Sequence, residues 1–132
     1  MLALVAAVLL IAPPAIAGGA CGVVGATADV HCSAPHPAAG QAFEGVVLHV
    51  VDGATFCLAQ GPTPDRWIRV RLSGGETGGR RALMAAAFAR SLVCVASRDA
   101  GQAVEATCFV SGSNLTALSR DPAVLAQAAD WR

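Results

Sequence analysis

The chain has 132 residues, with nine basic and nine acidic side chains and a formal net charge of zero. Hydrophobic residues make up 55% and aromatic residues only 5%; every basic residue is Arg, and Tyr is absent. This length supports one domain with a modest core, and the balanced charge argues against a strong nonspecific binder of nucleic acid.

Met1 to Ala17 is uncharged, almost wholly apolar, and ends in Ala15-Ile16-Ala17. A hydrophobic run closed by a small-x-small site predicts a secretory signal peptide over residues 1–17. The run is too short for a comfortable membrane span, and Pro13-Pro14 interrupts it. The mature protein is therefore expected to be secreted or periplasmic, with no stable membrane insertion after cleavage.

Residues 18–40 are rich in Gly, Ala, Pro and Ser and show no sustained period, which predicts a linker or arm. Cys21, His31, Cys32 and His36 fall in it. Their spacing matches no standard zinc finger, and export favours oxidation, so a small Cys21–Cys32 loop is expected rather than a metal site.

The domain proper is expected over residues 41–132. Val46 to Val51 is apolar and β-branched, as a buried strand requires. Asp52-Gly53 signals a tight hairpin, in which Gly would adopt positive φ. Phe56 and Leu58 then alternate with Thr55 and Cys57. In the third strand Trp67, Arg69 and Arg71 fall on one side, and Ile68, Val70 and Leu72 on the other. Three antiparallel strands followed by a helix begin many small closed barrels.

Ser73-Gly-Gly-Glu-Thr-Gly-Gly-Arg-Arg81 lacks the spacing and Lys of a P-loop, so it reads as a bridge or a generic anion loop. Met84, Phe88 and Leu92 recur every four residues and predict a helix from Arg80 to about Leu92 with one core-facing stripe. Two further strands follow, 92–96 and 104–110, carrying Cys94 and Cys108. A turn near Asp99-Ala-Gly101 brings these cysteines side by side. That assignment leaves Cys57 as a free thiol or an intermolecular bridge. Two short helices complete the chain, the second begun by Asp121 as cap and Pro122 in the first turn.

Gly45-x4-Val50-x-Asp52-Gly53-x-Thr55-x2-Leu58, followed by Arg71-Leu72, resembles the thermonuclease (staphylococcal nuclease-like) family, over roughly Gly45 to Ala128. The resemblance implies a five-stranded OB-fold barrel with two or three short helices. It also implies phosphodiester hydrolysis with one Ca²⁺, a Glu beside the attacking water and two Arg on the phosphate. The family's turn reads Asp-Gly-Asp-Thr, and its second Asp binds the metal; Ala54 stands there. The segment carrying the second ligand is missing after Gly74. Arg71 matches the first catalytic Arg and Glu76 can stand in for the Glu. Ala100-Gly101-Gln102 occupies the turn that supplies the second Arg.

The expectation is thus an exported thermonuclease-like barrel with a decayed catalytic site and no cofactor. Arg71 and Glu76 would be vestigial catalytic residues. Arg69 and Trp67 would serve ligand binding, with nucleic acid or another small anion as the partner. The alternative is a Ca²⁺-dependent nuclease that recruits other carboxylates, such as Asp52 and Glu76, into one pocket near Arg71.

Overall fold

The structure, a computed structural model, describes residues 32–130. The expected signal peptide, Cys21 and His31 lie outside these residues.

Six strands form one sheet: β1 (Ala42–Val50), β2 (Thr55–Ala59), β3 (Trp67–Leu72), β4 (Ser91–Asp99), β5 (Val104–Val110) and β6 (Ser113–Asn114). Their order is β3-β2-β1-β4-β5-β6, and a parallel β3–β5 pairing joins the first strand to the fifth. Five strands therefore close into a barrel, and β6 is appended to β5. Helix α1 (Arg80–Ala87) links β3 to β4, and α2 (Leu115–Leu118) and α3 (Pro122–Ala129) follow β6. This is the predicted OB-type barrel, mainly β. Closure suits so small a sheet because it removes its long edges.

Strand alternation builds the interior. Ile68, Val70 and Leu72 of β3 point inward and are buried, as are Leu92, Cys94 and Ala96 of β4. Phe56, Leu58, Leu83 and Leu115 complete the centre at 0% exposure. Burying each such side chain is worth roughly 1.5–3 kcal/mol. α3 is capped by Asp121, whose Oδ1 accepts the Ala123 N–H at 2.8 Å. Among the described residues no helix is long and apolar enough to cross a membrane.

Strand β2 departs from simple alternation, since all five of its residues are buried. Phe56 and Leu58 face the core, which leaves Thr55, Cys57 and Ala59 on the outer face. The segment from Cys32 to Gly40 covers part of that face. The Ser33 N–H donates to the Pro64 carbonyl and the Ala34 N–H to that of Trp67, both at 3.0 Å. Cys32 is joined to Cys57, with Cα atoms 5.5 Å apart.

The expected Cys21–Cys32 loop is therefore corrected, and Cys57 is not a free thiol. The arm's path across β2 brings Cys32 to Cys57, a tertiary contact that spacing does not encode. The second disulfide joins Cys94 to Cys108, directly opposite residues of β4 and β5 with Cα atoms 4.0 Å apart.

Two local expectations also change. α1 ends at Ala87, not near Leu92, because the next residues bond to β1 instead of continuing the helix. The Ala89 N–H donates to the Val47 carbonyl at 2.8 Å, and the Val47 N–H to the Arg90 carbonyl at 3.1 Å. A register shift in β1 between Val47 and His49 accompanies this contact. Ala89 turns the chain at φ 62°, and Phe88 stays 42% exposed. The helix's buried face is Ala82, Leu83, Ala86 and Ala87 instead.

The 51–54 turn is not built on positive φ at Gly53, which is absent from the positive-φ residues. Asp52 Oδ1 accepts the Ala54 N–H at 2.8 Å and shapes the turn. Gly53 is needed for proximity: a Cβ there would lie 3.1 Å from Gly79 Cα and 3.3 Å from the Arg80 nitrogen.

Candidate functional site

The close approach at Gly53 fixes the wall of a cleft. The Thr77 hydroxyl donates to the Gly53 carbonyl and accepts the Gly79 N–H at 3.2 Å. Arg80 Nε donates to the Val50 carbonyl at 3.3 Å. The start of α1 is thus tied to the β1–β2 turn, and the glycine-rich loop from Ser73 bows over the end of β3. Thr116 Oγ1 donates to the Ser73 carbonyl at 3.3 Å, and the Ser73 and Thr107 hydroxyls lie 2.9 Å apart.

The resulting cleft, about 630 Å³, is lined by Asp52, Ala54, Arg71, Glu76, Arg98 and Glu105, among others. Arg71 and Glu76, matched from the sequence, therefore share one cleft with Asp52. Ala54 lies in it too, and its methyl group offers no ligand atom. Three carboxylates face two guanidinium groups, so the cleft is formally acidic. Among the described residues no three His, Cys, Asp or Glu side chains converge closely enough to hold a metal ion.

Arg98 and Glu105 were not singled out from the sequence. Arg98 Nε donates to Glu105 Oε2 at 3.0 Å, and its terminal nitrogen lies 2.9 Å from the same oxygen. The unbroken register set by Cys94 opposite Cys108 would put Arg98 across from Val104. A register shift between Ala96 and Arg98 puts it across from Glu105. That one-residue slip is invisible to strand alternation.

On the other side of Arg71 is a groove of about 220 Å³, lined by Thr55, Arg69, Arg71, Ala100, Gln102 and Ala103. It contains two guanidinium groups and no carboxylate. Arg69 and Arg71 form no ion pair among the described residues. Thr55 is only 7% exposed, and its hydroxyl has no side-chain hydrogen bond among the described residues. Gln102 contributes a side-chain amide.

The structure thus brings Arg69 to Arg71 but does not bring Trp67 into either concavity. Trp67 is half-buried, and its Nε1 donates to the Gly61 carbonyl at 2.9 Å. A buried indole donor commonly finds such a partner.

The groove's far wall is the turn between β4 and β5. Gly101 takes φ 91°, and its N–H donates to Asp99 Oδ1 at 2.8 Å. The Ala100 N–H donates to the Ala103 carbonyl at 2.9 Å. The Asp99 carboxyl is held below the usual carboxylate range, first by the Gly101 N–H and then by His36.

No protein-family model matches the chain, and no curated protein matches it in sequence.

Proposed function

We propose that this protein is an exported, thermonuclease-like OB barrel that binds an anionic ligand without hydrolysing it. The observation carrying this reading is the groove in which Arg69 and Arg71 stand beside Thr55 and Gln102 with no carboxylate. Two guanidinium groups with no ion-pair partner among the described residues and a partly desolvated hydroxyl suit the oxygens of a phosphate or sulfate. Small anionic ligands and the phosphates of nucleic acid share this chemistry. The two disulfides fit the oxidising compartment that the leader sequence implies.

The calcium site of the resembled family does not fit these residues. Ca²⁺ takes six to eight oxygen ligands, whereas Ala54 offers none and no trio of candidate side chains converges among the described residues. These residues therefore offer no calcium-assisted hydrolytic step.

Titration with inorganic sulfate or a short thymidine oligonucleotide tests the reading. Saturable binding that weakens about tenfold in Arg71→Gln is expected, equivalent to about 1.4 kcal/mol. Unchanged affinity in that variant would remove the groove from the account.

A second reading, a hydrolase with recruited carboxylates, rests on one observation: Asp52, Glu76 and Arg71 line the same cleft. Its test is cleavage of DNA in calcium, lost in Glu76→Ala.

A further inference from the structure

We propose that His36 is a positioning residue for the anion groove: through Asp99 it holds the turn that supplies Gln102, so anion affinity rises as His36 gains its proton. The proposal rests on the anion-groove reading above and adds pH control to it.

His36 Nδ1 lies 3.2 Å from Asp99 Oδ1, the same oxygen that accepts the Gly101 N–H. The imidazole is 19% exposed and the Asp99 side chain 64%. The turn closed by Ala100 and Ala103 then places Ala100, Gln102 and Ala103 along one wall of the groove. Thr55, Arg69 and Arg71 form the opposite wall.

His36 can act as an anchor because its own segment is fixed on both sides. Before it stand the Cys32–Cys57 disulfide and the backbone bonds of Ser33 and Ala34. After it the Gly40 N–H donates to the Ala96 carbonyl at 2.7 Å. The other charged groups near His36 are Asp65 and Arg66, which share a concavity of about 380 Å³ with it. Arg98, next to Asp99 in sequence, is engaged by Glu105. Asp99 is therefore the carboxylate that pairs with the ring.

Histidine is the side chain that ordinarily changes charge between about pH 5 and 8. Protonation fixes Nδ1 as a donor and turns its contact with the ionised Asp99 carboxylate into an ion pair. It also offsets the Asp99 charge beside a groove that must attract an anion. Both effects favour binding at the acidic end.

Sulfate is a suitable probe because its charge does not change over this range. Its affinity would be measured at pH 8 and pH 5.5 for the disulfide-intact protein, His36→Gln, Asp99→Asn and Arg71→Gln. The Gly101 to Ala103 amide shifts would be followed by NMR without sulfate over the same range. The proposal predicts an affinity rise of about threefold or more in the parent protein. That rise should be absent in His36→Gln and Asp99→Asn, and the amide shifts should change between the two pH values in the parent protein but not in His36→Gln. A full pH response retained in His36→Gln, or turn amides indifferent to His36, overturns it. If no sulfate binds at either pH the groove reading fails, and the amide shifts alone then decide whether His36 holds the turn.

Discussion

Arg98 makes both of its bonds to a single oxygen of Glu105, at 2.9 and 3.0 Å, and Glu105 also stands opposite Arg71 across the parallel β3–β5 seam. One carboxylate thus occupies Arg98 and places a negative charge beside Arg71. Glu105→Gln should free Arg98 and remove that charge, raising sulfate affinity several-fold, on the order of 1 kcal/mol. The stability cost should be small, about 0–1 kcal/mol, because Arg98 is 69% exposed. Isothermal titration and a urea unfolding curve on one preparation check both halves.

The disulfide pairing is directly testable. Non-reducing peptide mapping should recover linked peptides containing Cys32 with Cys57 and Cys94 with Cys108. A Cys21–Cys32 peptide as the main product would contradict the arm's path. Replacing both Cys94 and Cys108 with Ala should cost about 2–4 kcal/mol in denaturant unfolding, a usual range for such a loop.

Two backbone positions give opposite signs. Ala89 sits at φ 62°, where a Cβ is strained, so Ala89→Gly should be neutral to stabilising by up to about 1 kcal/mol. Gly45 has normal φ, but a Cβ there would collide with the Ala59 carbonyl of the neighbouring strand. Gly45→Ala should therefore destabilise by about 1–3 kcal/mol, read as a lower thermal midpoint.

Asp99 sets a pH signature in the acid limb. Its folded carboxyl titrates below the ordinary value, so its stabilising contribution is fully present above that value and is lost as pH falls through the folded one. The parent protein should lose this contribution below about pH 4. Asp99→Asn, which has no such group to titrate, should show a shallower acid slope in thermal unfolding.

The barrel was legible because its strands keep period two: Ile68, Val70 and Leu72 separate cleanly from Trp67, Arg69 and Arg71. Arg71 and Glu76, singled out together from the sequence, line one cleft. Other features depend on distant parts of the chain. Cys57 of β2 is covered on its outer face by the arm that bonds to it, and the end of α1 is set by the bonds of Ala89 and Arg90 to the Val47 backbone. The Arg98–Glu105 pair arises from a one-residue shift in β4–β5 register. Thr55 and Gln102 become site residues only when the barrel closes around Arg71.

If the protein binds anions without hydrolysing them, DNA cleavage is the measurement that bears on it most directly. Purified protein would be incubated with single-stranded and duplex DNA, in calcium and in EDTA, alongside Glu76→Ala. Removing one electrostatic contact of a phosphoryl-transfer site costs on the order of a hundredfold in rate, and among the described residues no trio of candidate metal ligands converges. No cleavage above the EDTA control is expected from a cooperatively folded sample. Calcium-dependent cleavage that disappears in Glu76→Ala would contradict it and make the Asp52–Glu76–Arg71 cleft the working site.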